Sequence, residues 1–318
     1  MRAVTIADGR LAWDERPDPE PQAGELLVSV QAAGLNGADM LQRRGLYPAP
    51  PGSPADIPGL ELAGEVTATG RGVERFHPGD RVMAIVAGGA QAELALVHER
   101  VALPLPDGLD WDAASGFPEV FTTAHDALFT QAGLTIGESA LVHGAAGGVG
   151  IAGVQLAARA GARVTATVRN GRLRAGVAEI GTRCGVCAVV APDDFADLGP
   201  FDAVLELIGA PNLVADLGAL ATGGRIAVIG VGGGASAELN LLSLMGKRAR
   251  IHGSTLRARP LEQKVDAARR VEAHVLPLLA RGAIEVPVAA TYPMADAEAA
   301  YEHFQAGGKL GKIVLTRS

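Results

Sequence analysis

One short segment limits what this chain can fold into more than any other: residues 140–162, ALVHGAAGGVGIAGVQLAARAGA. It opens with an apolar run that predicts a short buried strand, after which Gly144, Gly147 and Gly150 follow at intervals of three. The small apolar residues that come next predict a helix that ends at Gly161. Because such a turn brings the N–H groups of the first helical turn close to an anion, the segment predicts a pyrophosphate site.

The context of the glycines strengthens this interpretation. Residues 163–168 predict a second strand at the distance that completes a βαβ unit, with Gly148 and Val149 inside the turn. The alternative is an ordinary tight turn in a glycine-rich protein, since the chain contains 42 glycines.

Length and composition restrict the class of protein. A chain of 318 residues favours two domains over one, and 48% hydrophobic with 20% charged residues is typical of a globular protein. A formal charge of -7 argues against general nucleic-acid binding. No apolar run has the length of a membrane span, and the first residues lack the apolar core of a signal peptide. We therefore expect a cytoplasmic protein that does not bind membranes.

The only two cysteines, Cys184 and Cys187, form a C-x-x-C pair. Such a pair can be redox active or supply half of a zinc site. Because no second pair exists and this one lies at a predicted helix-to-strand junction, we favour simple packing.

Two kinds of pattern divide the chain. Up to about residue 112, short β-rich segments separated by turn signals predict a partly closed, β-barrel-like domain. Strands then alternate with helices and predict a doubly wound parallel sheet. Residues 261–280 and 294–305 predict long helices and 312–315 a closing strand, so the last segment is expected to return to the first domain. The ligand is then expected in the cleft between the domains.

The residues after the second strand of the sheet bear on the cofactor. An unphosphorylated ribose usually meets a carboxylate there, whereas this chain has Arg169, Asn170 and Arg172, followed by Arg174. Guanidinium groups pair with a dianionic phosphate, so the sequence favours NADPH over NADH. The alternative is that these arginines only solvate a loop.

Six segments in a characteristic order carry a resemblance to a known family. They are residues 36–47 (NGADMLQRRGLY), 58–64 (PGLELAG), 78–82 (PGDRV), 118–119 (PE), 253–259 (GSTLRAR) and 311–315 (GKIVL), together with the glycine turn. With them the chain resembles the zinc-free NADPH quinone oxidoreductases of the medium-chain dehydrogenase/reductase superfamily, in particular the tumour-suppressor-inducible branch. The resemblance implies a GroES-like catalytic domain over 1–120, a Rossmann NADPH-binding domain over 121–257 and a return to the catalytic domain over 258–318.

The resemblance also bears on zinc. Zinc alcohol dehydrogenases of the superfamily carry a cysteine where Asn36 stands and a His-Glu pair where Leu60 and Glu61 stand. Asn36 and Leu60 cannot supply the thiolate or imidazole ligands that zinc prefers, and two cysteines cannot build a structural zinc lobe. We therefore expect no metal.

Site residues are carried over from the family position by position. The resemblance implies that Asn36 and Tyr47 lie near the nicotinamide and substrate and that Thr123 binds the carboxamide end of the cofactor. It implies that the glycine turn covers the pyrophosphate, and that backbone groups of two further segments lie beside the nicotinamide. These two segments are Gly230, Val231 and Gly232, and Ser254, Thr255 and Leu256.

The expected chemistry is hydride transfer from NADPH to a quinone or similar conjugated carbonyl, which delocalises the incoming charge without a metal. Tyr47 either hydrogen-bonds the developing oxyanion or only forms a wall of the pocket. One alternative function is an enoyl or enone reductase with the same cofactor. Another is a non-catalytic NADPH-binding protein similar to the lens crystallins of the family.

Further expectations concern assembly and individual side chains. Residues 250–254 predict an open edge strand, which pairing with a second copy would cover, so we expect a homodimer. His143 is interpreted as a packed, hydrogen-bonded residue, whereas the role of His125 stays open. Glu61 is expected to form a structural salt bridge or to support neighbouring site residues, rather than to transfer a proton. Lys309 and Lys312 are expected at the surface, and the alternative is that they reach the cofactor phosphate.

Overall fold

The computed structural model describes residues 1–186 and 188–317, so Cys187 and the question of the C-x-x-C pair lie outside the described residues. The chain divides into two compact units. Unit 1 comprises Met1–Glu119 and Leu256–Ser318, and unit 2 comprises Val120–Thr255.

In chain order, the first segment of unit 1 contains β1 (Arg2–Ala7), β2 (Arg10–Glu15), β3 (Glu25–Gly34), α1 (Gly37–Arg43), β4 (Glu61–Thr69), β5 (Arg81–Ile85), β6 (Leu94–His98), β7 (Ala102–Pro104), α2 (Trp111–Ser115) and the start of α3 (Pro118–His125). Unit 2 continues with a π-helical turn (Asp126–Gln131), β8 (Ser139–Val142), α4 (Gly148–Arg159), β9 (Arg163–Thr167), α5 (Gly171–Thr182), β10 (Ala188–Val190), a 3-10 turn (Ala196–Leu198), β11 (Phe201–Glu206), α6 (Ala210–Ala219), β12 (Leu220–Val228), α7 (Leu241–Lys247) and β13 (Arg250–Gly253). The second segment of unit 1 contains α8 (Leu261–His274), α9 (Leu276–Ala280), β14 (Val288–Pro293), a 3-10 turn (Met294–Asp296), α10 (Ala297–Ala306) and β15 (Lys312–Thr316).

Unit 1 is built on a mostly antiparallel sheet with strand order β14-β15-β3-β4-β5-β7, in which β6 also pairs with β3. The C-terminal strand β15 lies inside this sheet, antiparallel to β3, with Leu315 opposite Ala33. The core against the sheet includes the fully buried side chains of Leu62, Tyr301 and Ile313. The last segment therefore completes a sheet that the first segment begins.

Unit 2 has a six-stranded sheet with order β10-β9-β8-β11-β12-β13, and every pair in it is parallel. Counted from β8, this order is that of the doubly wound dinucleotide-binding fold, whose direction of winding reverses between β8 and β11. The predicted parallel sheet is confirmed. Ligands of such sheets bind at the carboxyl ends of the strands beside this reversal.

Some predicted elements are wrong in their bounds. The single helix expected over 261–280 is two helices, because Pro277 stands in the first turn of α9 and lacks the N–H that would continue α8. The helix expected over 294–305 begins with a 3-10 turn. The strands predicted from the sequence also did not include β2, β7 and β14.

Throughout the part of the chain that the structure describes, we find no helix with the length and apolar character needed to cross a membrane.

Candidate functional site

The glycine turn of unit 2 connects β8 to α4 as the spacing predicts. Gly144 has a positive φ of 61°, and the Gly147 N–H donates to the Gly144 carbonyl over 3.0 Å. Gly147 is the N-cap of α4 and offers no side chain to the helix, and the Ile151 N–H donates to the Gly147 carbonyl over 2.9 Å. The N–H groups of the first helical turn are therefore available to an anion.

Gly150 explains why the turn needs glycine. A Cβ at this position would lie 2.4 Å from the Gly144 carbonyl oxygen and 2.6 Å from the Ala145 Cα. Gly150 is buried, whereas Gly147, Gly148 and Val149 are partly exposed. The turn thus has a packed inner side and an accessible outer side, which fits the pyrophosphate of a dinucleotide.

The loop after β12 also contains a glycine that packing requires. A Cβ on Gly230 would lie 2.3 Å from the Leu207 carbonyl oxygen, whereas a Cβ on Gly232 would meet open space. Val231 between them is 47% exposed. This segment follows the carboxyl end of β12, at the edge of the parallel sheet where ligands of such folds bind.

The other residues predicted for the cofactor lie on α3 and after β13. Thr123 is buried on α3, directly before the π-helical turn, a feature that often marks functional sites. The Ser254 hydroxyl donates to an Asp126 carboxylate oxygen over 3.2 Å. Thr255 is exposed, and the buried Leu256 already belongs to unit 1.

The predicted phosphate-binding arginines follow β9. Arg169 and Arg172 are exposed, and within the described part of the chain neither guanidinium group forms an ion pair or hydrogen bond. Asn170 caps α5 by accepting the Arg172 N–H over 3.1 Å. The guanidinium group of Arg174 is already hydrogen-bonded within the protein, since its Nε donates to the Val168 carbonyl over 3.0 Å. Two guanidinium groups are thus available to an anion, and the third is occupied.

Lys312 corrects the expectation of a surface charge, because it is only 3% exposed. Its ammonium donates to three oxygens: the Leu35 carbonyl at 2.7 Å, Asn36 Oδ1 at 2.8 Å and Glu61 Oε1 at 2.5 Å. All three N–H groups of this buried ammonium are therefore hydrogen-bonded, and the Glu61 carboxylate balances its charge. The salt bridge expected of Glu61 is present, and Lys312 is its partner. We call Asn36, Glu61 and Lys312 the lysine cluster.

Asn36 is fixed by the same cluster. Its Nδ2 donates to Glu61 Oε1 at 2.9 Å and to the Gly34 carbonyl at 3.2 Å, while its backbone N–H donates to Asp39 Oδ2 at 2.8 Å. Both amide hydrogens are therefore used within the protein, and Oδ1 keeps one lone pair beside the Lys312 ammonium.

Glu119 joins the cluster through its backbone, whose N–H donates to Glu61 Oε2 over 2.8 Å. Burial, followed by the charge of Glu61, raises the pKa of its carboxyl group to about 8. The pKa of Tyr47 is raised as well, first by burial and then by the nearby Glu119. The sequence analysis noted Glu119 only as part of a family segment and assigned it no role.

Arg257 holds the segment that carries Tyr47. The nearly buried guanidinium donates to the carbonyls of Tyr47 and Ala87, each at 2.8 Å, and to Gln42 Oε1 at 2.6 Å. It also lies 5.0 Å from the centre of the Tyr47 ring, a distance typical of a cation–π contact. Arg257 is thus a positioning residue for Tyr47 that the sequence analysis did not single out.

The donor set of the lysine cluster does not fit a catalytic zinc ion. Leu60 is aliphatic and buried, and the Asn36 oxygen already accepts a hydrogen bond from an ammonium that would repel a cation. Only one group with metal-ligand spacing occurs among residues 1–186 and 188–317, formed by His143, Glu206 and Asp216 in the core of unit 2. There His143 Nε2 lies 2.7 Å from Asp216 Oδ1 and Nδ1 lies 2.9 Å from Thr167 Oγ1, as expected of a packed, hydrogen-bonded histidine.

Comparisons with known proteins agree with this architecture. Residues 22–107 match the alcohol dehydrogenase GroES-like domain family, and residues 187–315 match the zinc-binding dehydrogenase family. Quinone oxidoreductase of Rattus norvegicus is 34% identical over 306 residues, which are 93% of this chain and 90% of the rat protein. Erythronolide synthase EryA2 of Saccharopolyspora erythraea is 46% identical over 170 residues, 52% of this chain but 5% of that protein.

Solved structures include the quinone oxidoreductase of Thermus thermophilus, determined alone and with NADPH. It is 32% identical with a TM-score of 0.85, and the match covers 99% of this chain and 100% of that one. Fold, glycine turn and matched domains together define an oxidoreductase of the medium-chain dehydrogenase/reductase superfamily. Within that superfamily, the chain belongs to the quinone oxidoreductase family. The narrower assignment to the tumour-suppressor-inducible branch stays a prediction.

Proposed function

We propose that this protein is a zinc-independent oxidoreductase that uses NADPH to reduce a quinone or a similar conjugated carbonyl compound. The observation that carries the proposal is the lysine cluster, in which a buried ammonium occupies a site whose donors do not suit zinc. An acceptor that delocalises charge into a second carbonyl needs no Lewis acid, and quinones have this property.

On the cofactor side, the chain's own groups suit NADPH. The backbone of Gly147, Gly148 and Val149 would hold the pyrophosphate, and the guanidinium groups of Arg169 and Arg172 would pair with the 2′-phosphate. Bound there, NADPH would supply a hydride from C4 of its nicotinamide. The similarity to a Thermus enzyme solved with NADPH supports this assignment.

On the acceptor side, Tyr47 is the group we propose to meet the substrate. Its ring is held by Arg257, its phenol has no hydrogen-bond partner among the described residues, and its raised pKa keeps the proton on the hydroxyl. A neutral phenol can donate a hydrogen bond to an oxygen that gains negative charge. Asn36 would act indirectly, by orienting the side chains of Glu61 and Lys312.

A panel of acceptors tests the function. NADPH oxidation is measured side by side with a naphthoquinone, an ortho-quinone, an enone and an enoyl thioester. We expect the highest kcat/KM with a quinone. Faster turnover of the enone or the enoyl thioester would indicate an enoyl or enone reductase instead. The match to erythronolide synthase EryA2 is the reason to include these two acceptors. Tight NADPH binding without turnover of any acceptor would instead indicate a non-catalytic binding protein.

We also propose that the protein is a homodimer. Strand β13 is the edge of the unit 2 sheet, and the adjoining α7 exposes Leu241, Leu242 and Met245, each at least 66% accessible. An open strand beside exposed apolar side chains favours pairing with a second copy across a two-fold axis.

A further inference from the structure

A buried chain of hydrogen bonds joins the two segments of unit 2 that we propose to hold the phosphates of the cofactor. His143 directly follows β8 and precedes the glycine turn, and Thr167 ends β9, two positions before Arg169. The imidazole ring connects them, since Nδ1 of His143 lies 2.9 Å from Thr167 Oγ1. On its other side, Nε2 lies 2.7 Å from Asp216 Oδ1 on α6. His143, Thr167 and Asp216 are each at most 2% exposed, and we call them the histidine cluster.

Asp216 is the carboxylate that orients the ring. Glu206 Oε2 lies farther from Nε2, at 3.8 Å. The oxygens of Glu206 also accept hydrogen bonds from the loop after β11, from the Gly209 N–H at 2.7 Å and the Asn212 side chain at 3.0 Å. A carboxylate only accepts, so Nε2 donates to Asp216. The Thr167 hydroxyl can donate to Nδ1 or accept from it, so the chain of hydrogen bonds is complete whether the ring is neutral or charged.

The backbone makes a second connection between the same two segments. The Ala145 N–H, inside the glycine turn, donates to the Thr167 carbonyl over 3.1 Å. Thr167 is therefore attached to the segment after β8 through both its carbonyl and its hydroxyl. Only the hydroxyl can be removed by a substitution that leaves the backbone groups in place.

We propose that Asp216, His143 and Thr167 are positioning residues that set the spacing between the pyrophosphate site and the 2′-phosphate site. The inference rests on the proposed function, because it requires a pyrophosphate at the glycine turn and a 2′-phosphate at Arg169 and Arg172. A segment already held in its binding conformation loses less conformational entropy when the ligand binds. Loss of the Thr167 hydroxyl would release the segment that carries the arginines, so the cost falls on the phosphate that NADPH carries and NADH lacks.

The first test compares Thr167→Val with a matched control, Thr165→Val. Both variants replace a threonine hydroxyl on β9 by a methyl group. Thr165 is 6% exposed, and its hydroxyl forms no hydrogen bond to any residue that the structure describes. The Kd values for NADPH and NADH are measured by isothermal titration calorimetry at one pH.

The expected result is a selective loss. The net contribution of one hydrogen bond corresponds to about 3- to 10-fold in affinity, so Thr167→Val should weaken NADPH binding by this factor and NADH binding by less than about twofold. Thr165→Val should keep both wild-type Kd values. Thr167→Ser retains the hydroxyl and should recover the preference for NADPH.

A second measurement observes the ring itself in the cofactor-free protein. Nitrogen-15 NMR should show that His143 carries a hydrogen on Nε2. The Nδ1 resonance of the same ring should shift in Thr167→Val, because its hydrogen-bond partner is removed, and keep its wild-type position in Thr165→Val.

The outcomes separate the two proposals. If the wild type prefers NADPH and Thr167→Val keeps that preference, or weakens both cofactors equally, the positioning role is overturned and the proposed function stays intact. An unshifted Nδ1 resonance in Thr167→Val would overturn the positioning role as well. A wild-type protein that binds neither cofactor, or binds both equally, would remove the NADPH assignment of the proposed function and the positioning role with it.

Discussion

Among single residues, Lys312 is expected to have a large effect on the stability of unit 1. Its buried ion pair with Glu61 resembles other buried pairs, in which removal of one partner costs about 3–5 kcal/mol because a charge stays buried without compensation. We predict that Lys312→Met lowers the free energy of unfolding by about this amount, measured by urea denaturation.

Two further variants make this prediction specific. Lys312→Met combined with Glu61→Gln should recover part of the loss, because no unpaired charge then remains. Lys309→Met is the matched control, since Lys309 is partly exposed and its ammonium donates to the Gly311 carbonyl rather than to a carboxylate. Equal losses for Lys309→Met and Lys312→Met would contradict the account of the ion pair.

Arg172 is expected to set the preference for the phosphorylated cofactor. A hydrogen bond to a charged group contributes about 1.5–3 kcal/mol, so Arg172→Ala should weaken NADPH binding by about 10- to 100-fold and leave NADH binding nearly unchanged. Isothermal titration calorimetry with both cofactors measures this. Arg174→Ala is the control, because its guanidinium is occupied by the Val168 carbonyl. Equal weakening of NADH and NADPH by Arg172→Ala would argue against a phosphate contact.

Individual residues were predictable from the sequence only where a local pattern or the family resemblance pointed to them. The glycines of the turn and the exposed Arg169 and Arg172 follow from their neighbours in the chain. Lys312 does not, because its partner Glu61 lies 251 positions away and sequence spacing cannot show such a pairing. One signal was present: Lys312 begins the apolar run Ile313, Val314 and Leu315 of a strand buried on both faces.

Among the elements, the turn between β8 and α4 tolerates little change in geometry at Gly150. We predict that Gly150→Ala raises the Kd for NADPH at least about tenfold and destabilises the protein by about 1–3 kcal/mol, because the added Cβ must displace the Gly144 carbonyl. Fluorescence titration with NADPH and thermal unfolding measure the two effects.

Gly218→Ala in α6 is the matched control, since a Cβ there meets no atom within 4 Å. An alanine inside a helix stabilises it by about 0.5–1 kcal/mol relative to glycine, so this variant should melt higher and bind NADPH as the wild type does. If Gly150→Ala bound NADPH normally, the turn would not be the pyrophosphate site.

The types of element were predicted better than their bounds. Strand, turn and helix over residues 140–161 depend on local signals and agree with the structure. The long helix over 261–280 failed at Pro277, a residue whose missing N–H is itself a signal in the sequence. Strands β2, β7 and β14 were missed because short strands depend on partners elsewhere in the fold, here β1, β5 and β15.

For the molecule as a whole, strand order could not be read directly from the sequence. Alternating strands and helices predicted a parallel sheet but not the order of its strands. The structure shows that this order is β10-β9-β8-β11-β12-β13. The return of the last segment to unit 1 was predicted from a single closing strand. Its place beside β3 depends on long-range pairing that only the structure shows.

The proposed dimer gives a prediction for the whole assembly. Light scattering coupled to gel filtration should report twice the mass of the 32.4 kDa chain. Leu242→Glu combined with Met245→Glu should shift the protein to monomer, because charges would be buried against the second copy. Ile136→Glu, at an exposed position elsewhere in unit 2, should leave the mass unchanged. A wild-type monomer would contradict the assembly.

The most direct test of the central claim is the rate of NADPH-dependent quinone reduction after exhaustive treatment with a zinc chelator, with the metal content measured in the same sample. Because the lysine cluster presents an ammonium where a metal would need ligands, we predict substoichiometric zinc and a change in kcat/KM of at most about twofold. Loss of activity on chelation, restored by added zinc, would contradict the account.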